Sequence, residues 1–237
     1  MEFRSYPNPN FKLGKYPKDI QKPSVYYTIM QRATQLALAG FFKIRVFNRH
    51  NEPTSGGVLI TSNHQSFLDP PLVGAALKRP CNFMARDTLF SNPIFGKIIS
   101  SLHAMPIKRG TADTGAMKES MRRLKAGNQV VIFPEGTRSK DGRLKPFLPG
   151  MALLSQRSAE WTLPTIVDGA FECWPRNKKL PSSGKIYVAY GEPIHRSEAR
   201  KFKAADFVTH LRSKMIELQC QLRKHVGKTP HDYSNYQ

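Results

Sequence analysis

Val58-Leu59-Ile60-Thr61-Ser62-Asn63-His64-Gln65-Ser66-Phe67-Leu68-Asp69-Pro70-Pro71 decides how the chain is read. Val58 to Thr61 is a short apolar run of the kind that makes a buried strand. The two prolines that close the stretch are best accommodated in the first turn of a helix, where their missing N–H groups are not needed. That helix is expected to run to about Arg79. A strand that passes directly into a helix is the repeating unit of a parallel sheet. The polar residues between them, His64 and Asp69 included, fall on the connection, at the sheet edge where ligands gather.

The same alternation continues in both directions. Upstream, Phe42, Ile44 and Val46 alternate with Lys43 and Arg45 as in a strand, and the polar segment 48–57 forms a turn. Downstream, helices are expected from Asn92 to Leu102 and from Thr114 to Lys125, the second stopped by Gly127. Short apolar strands are expected at Met105 to Lys108, Gln129 to Phe133, Leu163 to Val167 and Lys185 to Tyr190. A last helix carries Phe207, Leu211, Met215, Leu218 and Leu222 on one face. The fold class is therefore α/β, with a mainly parallel central sheet flanked by helices.

Residues 1–23, rich in Pro, Asn, Tyr and Lys, have no period and read as an irregular arm. From Ser24 to Phe42 an amphipathic helix follows. Its stripe is Val25, Ile29, Ala33, Leu36 and Gly40, widened by Tyr26, Met30 and Ala37, with Thr28, Gln31, Arg32 and Gln35 elsewhere. Such a stripe suits packing on the protein's own core; it also suits lying in a lipid surface, and the two can coexist on a wide stripe.

Composition narrows the partners. The 237 residues include 37 Lys and Arg against 17 Asp and Glu, a formal charge of +20, which attracts polyanions of any kind. Over residues 1–50, nine Lys and Arg against Glu2 and Asp19 give +7. The basic residues are dispersed and no recognition-helix, zinc-finger or RNP pattern occurs, so a nucleic-acid module is not expected. Cys81, Cys173 and Cys220 are odd in number and outside ligand spacing, which argues against a disulfide framework or a metal site. No run approaches the ~20 apolar residues of a spanning helix, and the first 22 residues lack the apolar core of a secretion signal.

His64 and Asp69 are five apart, which on a continuous helix would put them about 140° apart on different faces. Across the bend between strand and helix they can meet. The carboxylate would then hold one imidazole nitrogen while the other faces substrate. Asp69 ahead of Pro70 also suits a helix N-cap, and the pair alone does not separate the two roles. A second segment adds weight: Val131-Ile132-Phe133-Pro134-Glu135-Gly136-Thr137-Arg138-Ser139 sets a carboxylate and a guanidinium on a loop directly after a buried-type strand, toward the same edge.

With both segments in view, the chain resembles the glycerolipid acyltransferases, the family that includes lysophosphatidic acid acyltransferases. Asn63-His64 through Asp69 matches its NHxxxxD block and Phe133 to Ser139 its FPEGTRS block. Pro106-Ile107-Lys108-Arg109-Gly110 is similar to the basic block between them, and Leu163-Pro164-Thr165-Ile166-Val167 is a looser match to the apolar fourth. The resemblance implies that His64 is the general base on an acceptor hydroxyl and that Asp69 fixes its tautomer, with direct attack on an acyl thioester and no acyl-enzyme. It places the acceptor's phosphate near Lys108, Arg109 and Arg138. Glu135 becomes a partner for a glycerol hydroxyl or a cation. Gly136 and Thr137 fall in the same substrate-binding loop, with backbone N–H groups near Gly136 as candidate oxyanion donors.

No cofactor or metal is implied; acyl-CoA or acyl-carrier-protein would be the donor substrate. The implied reaction forms phosphatidate from lysophosphatidate at its sn-2 hydroxyl. Related enzymes act on lysocardiolipin, other lysophospholipids or lyso-ornithine lipids. Many family members carry two long hydrophobic N-terminal helices, and none is found in this sequence. Peripheral or monotopic attachment to an anionic membrane, on its cytoplasmic face, is therefore expected. The expected organisation is a basic arm and membrane-associating helix over 1–42, an acyltransferase domain over 43–228 and a flexible tail over 229–237.

Overall fold

The computed structural model describes Phe3, Ser5–Tyr6 and residues 23–108 and 113–234. In chain order the elements are β1 (Ser5–Tyr6), α1 (Val25–Phe41), β2 (Lys43–Phe47), β3 (Val58–Ser62), α2 (Asp69–Ala76), β4 (Cys81–Arg86), α3 (Pro93–Ser101), β5 (Ala104–Ile107), α4 (Thr114–Lys125) and β6 (Gln129–Ile132). They continue as α5 (Gly150–Arg157), β7 (Trp161–Asp168), α6 (Ala170–Cys173), β8 (Lys185–Tyr190), β9 (Ile194–His195), α7 (Arg196–Ala199) and α8 (Ala204–His225). The strands form one sheet in the order β1-β2-β8-β7-β3-β6-β4-β5, with β9 beside β7. The run β7-β3-β6-β4-β5 is parallel throughout, whereas β8 pairs antiparallel with β7. Pro106 sits on the edge strand β5, where a missing N–H is tolerated. Pro164 falls between β9, which pairs Trp161–Thr162, and β8, which pairs Thr165–Asp168.

Alternate residues of each central strand feed two separate cores, as the period-2 pleat requires. Leu59, Val130, Ile132 and Ile166 pack with Leu124, Leu154, Leu211 and Met215 on one face. Val58, Ile60, Val131 and Leu163 pack with Leu38, Leu72, Val73 and Leu77 on the other. All five residues of β3 are buried, so it is the middle of the layer stack, and its carboxyl end sets the position of everything that follows.

Four features depart from the expectations. Part of the arm is ordered as an edge strand, Ser5 and Tyr6 pairing antiparallel with Phe47 and Val46. The strand Cys81–Arg86 and the helix Gly150–Arg157 were not expected: the first follows Arg79-Pro80, and the second has eight residues and no side-chain cap. The expected loose tail is pinned over 229–234. The Tyr233 hydroxyl accepts the Leu144 N–H at 2.8 Å and Arg143 donates to the Asp232 carbonyl at 3.1 Å. Residues 235–237 lie outside the described residues.

The fourth concerns α1. Ser24 caps it, accepting from the Tyr27 N–H. The side that meets the protein is not the stripe but the one carrying Tyr27, Gln31, Gln35 and Leu38: Tyr27 and Leu38 are buried, Leu38 within the core, while Gln31 Nε2 donates to the Gly74 and Leu77 carbonyls and Gln35 Nε2 to that of Ala75. Those carbonyls lie at the C-terminal end of α2, where orphan acceptors need donors, so the amides dock there. The stripe is left facing outward, with Val25, Ile29 and Leu36 at 78, 60 and 75% exposure. Packing on the core, one of the two readings open to the stripe, is therefore not its role.

Candidate active site

β3 and β6 are parallel neighbours with Thr61 opposite Ile132, so the loops that leave their carboxyl ends emerge side by side. The two connections bind each other through backbone. The Ser139 N–H donates to the His64 carbonyl at 2.6 Å, and the His64 N–H donates to Glu135 Oε1 at 2.7 Å. On the other flank, Asn63 clamps β7, its amide nitrogen donating to the Val167 carbonyl at 2.9 Å and its oxygen accepting the Val167 N–H at 2.8 Å.

The tight turn after β3 brings Asp69 back to the residues just before it. Asp69 Oδ2 lies 2.7 Å from His64 Nδ1 and also accepts the N–H groups of Gln65 (2.6 Å) and Ser66 (2.7 Å). It is the first residue of α2 and makes none of the forward contacts of an N-cap, so the capping role is excluded. With two fixed amide donors on the same oxygen, the carboxylate cannot swing away from the ring. An ionised carboxylate only accepts, so beside it a neutral imidazole is favoured as the tautomer protonated at Nδ1, with Nε2 as the acceptor nitrogen. The ring stacks on Phe133, centroids 4.3 Å apart and 25° from parallel. His64 is 6% exposed and Asp69 is fully buried.

Glu135 does not project into open space as a hydroxyl partner would. Its Oε1 holds His64 N–H and its Oε2 the Lys145 N–H at 3.0 Å, so it braces the backbone of His64 itself. Burial pushes its carboxyl up to about 7, against the opposing pull of the two N–H donors. Gly136 has φ of +69°, and its N–H closes a turn on the Phe133 carbonyl at 3.0 Å, so that N–H is committed to the loop and not to an oxyanion. Ser139 Oγ ties the loop to Arg143 O. Thr137 is exposed.

The cations spread along the edge. The Arg138 guanidinium lies 3.5 Å from the centre of the Phe67 ring, a cation–π contact beside the catalytic turn. Lys108 follows β5, two strands from β6, and its N–H is held by Asp113, which also caps α4. Two strand spacings amount to roughly 10 Å, within the combined reach of two long basic side chains. Arg109 and Gly110 lie outside the described residues.

Residues 43–167, more than half of the chain, match the family model for acyltransferases. The chain belongs to the acyltransferase family. Among its relatives is the chloroplastic 1-acyl-sn-glycerol-3-phosphate acyltransferase of Arabidopsis thaliana, 30% identical over 185 residues that cover 76% of this chain and 52% of that one. The 1-acyl-sn-glycerol-3-phosphate acyltransferase of Bacillus subtilis is 26% identical over 83% of this chain and 98% of its own. The crystal structure of the 1-acyl-sn-glycerophosphate acyltransferase from Thermotoga maritima has the same fold: TM-score 0.71, 22% identity, 87% of this chain and 81% of that one covered. The chain thus spans about half the length of the chloroplastic relative and nearly all of the bacillar one.

In this acyltransferase His64 lines a largely apolar cleft of about 890 Å³. Arg138, Phe67, Met84, Phe95 and Met30 of α1 are among its other lining residues. No helix among the described residues is long and apolar enough to cross a membrane. Sequence reading missed the aromatic frame of the site. Phe67 and Phe133 lie inside the two motifs and could have been read as ring partners for Arg138 and His64. For Trp174, whose carbonyl accepts from Ser66 Oγ at 2.8 Å, no local signal exists, because the contact joins segments 108 residues apart.

Proposed function

We propose that this acyltransferase transfers a fatty acyl group from a thioester to the sn-2 hydroxyl of lysophosphatidate, giving phosphatidate. The observation that carries the reading is the His64–Asp69 pair at 2.7 Å on the wall of a largely apolar cleft of about 890 Å³. His64 Nε2 takes the proton of the acceptor hydroxyl as its oxygen attacks the thioester carbonyl. The tetrahedral intermediate collapses, the C–S bond breaks, and the thiolate takes the proton from the imidazolium. Asp69 stabilises that imidazolium. Two serines close to His64 spend their hydroxyls on carbonyls, Ser66 on that of Trp174 and Ser139 on that of Arg143, which supports transfer without a covalent acyl-enzyme.

The acceptor's phosphate is assigned to Arg138, with Lys108 adding positive charge from the end of β5; Arg109, which the family resemblance adds to this set, lies outside the described residues. The apolar cleft takes an acyl chain. The outward stripe of α1, together with the net positive charge, attaches the protein to an anionic lipid surface, from which a lysolipid enters. The relatives named above support the choice of acceptor, and acyl-CoA or acyl-carrier-protein would supply the acyl group.

The decisive experiment is acyl transfer followed by mass spectrometry, with lysophosphatidate, lysophosphatidylcholine, lysocardiolipin and a lyso-ornithine lipid as acceptors. Phosphatidate should be the main product. Arg138→Ala should lower catalytic efficiency more for lysophosphatidate than for the choline ester. Wild-type protein that acylates only one of the other lipids would overturn the assignment.

A further inference from the structure

Between α6 and β8 lies a loop that the reaction above does not use. Its sequence, Trp174-Pro175-Arg176-Asn177-Lys178-Lys179-Leu180-Pro181-Ser182-Ser183-Gly184, puts three cations into four positions with no acidic residue anywhere in it. The loop is fastened at its base. Ser182 donates to the Cys173 carbonyl through both its N–H (2.8 Å) and its hydroxyl (3.1 Å). Its near limb folds on itself, Lys178 N–H to Pro175 O at 3.2 Å and Trp174 Nε1 to Lys178 O at 3.0 Å. It is tied to the catalytic turn by the Ser66–Trp174 hydrogen bond and by the Phe67 and Trp174 rings, 5.3 Å apart. Lys178 and Lys179 are exposed, and both line the cleft that His64 lines.

Along the rim of that cleft the order is therefore Arg138, Phe67, Trp174, then Lys178 and Lys179. Two positively charged places are separated by two aromatic rings. Cations crowded together with no carboxylate among them repel one another, and an anion placed between them relieves that repulsion. The reaction brings two anionic molecules to one imidazole. In the acceptor the phosphate is attached to the same glycerol unit as the reacting hydroxyl, which suits Arg138, packed against the catalytic turn. In a biological acyl thioester the phosphate lies at the far end of a pantetheine arm, which suits cations further along the rim.

Resting on the thioester reading above, we propose that Lys178 and Lys179, with Arg176 beside them, bind the phosphate of the donor's phosphorylated pantetheine carrier. Acyl-CoA and acyl-carrier-protein share that phosphate. They differ in what lies beyond it, further phosphates in the first and an acidic protein surface in the second.

The test compares wild type with the double substitution Lys178→Ala, Lys179→Ala. Three donors are used: palmitoyl-CoA, palmitoyl-carrier-protein and S-palmitoyl-pantetheine, which has no phosphate. Loss of two charge-assisted contacts should raise the KM for palmitoyl-CoA and for the carrier-protein donor about tenfold or more. The KM for lysophosphatidate and the efficiency with S-palmitoyl-pantetheine should stay as in wild type. Calorimetric titration with free CoA should show the same loss of affinity. Because it needs no turnover, it gives an answer even if lysophosphatidate is not the acceptor. The proposal is overturned if CoA binds both proteins equally or fails to bind wild type, or if the KM for lysophosphatidate rises in place of the donor's. It is overturned too if only the carrier-protein donor is affected, which would make the loop a protein-docking surface. Weakened vesicle binding with unchanged donor KM would assign the loop to the membrane instead.

Discussion

Asp69 Oδ2 serves three donors at once, and that crowding makes the site sensitive to single atoms. In Asp69→Asn the amide oxygen that keeps the Gln65 and Ser66 N–H groups stays beside Nδ1 but carries no charge, and the NH2 takes the place of Oδ1. The imidazolium formed during transfer then loses its carboxylate partner in a buried site, where an unpaired charge is costly. We expect the loss of kcat to approach that of His64→Ala, about 10² to 10⁴-fold, with the circular dichroism spectrum unchanged. Activity of His64→Ala near wild type, or a trapped acyl-enzyme, would refute direct attack. Glu135 gives a second residue-level expectation. Its carboxyl is pushed up to about 7 from an ordinary 4.5, so between those values the folded chain holds a proton that the unfolded chain has lost. Stability from this group is fully present below the ordinary value and declines as pH rises through the folded one. Urea midpoints of wild type should fall across that window, and Glu135→Gln, which cannot titrate, should lack this part of the slope. Identical slopes would assign the effect to other groups. That His64, Asp69 and Arg138 would share one sheet edge was legible because two motifs end there. The brace role of Glu135 was not, since it depends on Lys145 folding back to share the carboxylate, a contact that no local pattern encodes.

At the scale of elements, the α/β pattern was legible wherever capping and period agreed, as in Thr114–Lys125, where Asp113 caps the start and Gly127 follows the end. It failed at Cys81–Arg86, whose neighbours on both sides are strands distant in sequence, so its burial is set by pairing with β5 and β6. For α1 the sequence located the helix and its stripe but left open which way the stripe points. That depended on Gln31 and Gln35 finding the α2 carbonyls. An outward stripe has a measurable consequence. Replacing Ile29 and Leu36 together by Asp removes two side chains each worth about 1.5 to 3 kcal/mol when buried in an apolar phase. Partitioning onto vesicles should drop at least about tenfold. The melting temperature should hardly move, because substitutions at exposed positions lie within about 0.5 kcal/mol. A large fall in melting temperature with binding intact would mean that the stripe is packed against protein after all.

For the molecule as a whole, the proposed attachment to an anionic membrane would have two components with different physics, and they can be separated. The α1 stripe acts by apolar burial, which ordinary salt barely changes. The formal charge of +20 acts through the field of the lipid headgroups, at about 1 kcal/mol for each basic residue near an anionic surface. That field decays within about 8 Å at physiological ionic strength and about 3 Å in molar salt. Flotation with anionic vesicles should therefore be strong at low salt and fall steeply as salt rises, levelling off at a residue of binding set by α1. Neutral vesicles should show only that residue, flat across the salt series. The Ile29, Leu36 double substitution should remove the flat residue and leave the salt-dependent part. Each component then reports on a different feature of the same surface: equal flotation on neutral and anionic vesicles at every salt would eliminate the electrostatic one, and a salt series that falls to zero in wild type would eliminate the stripe.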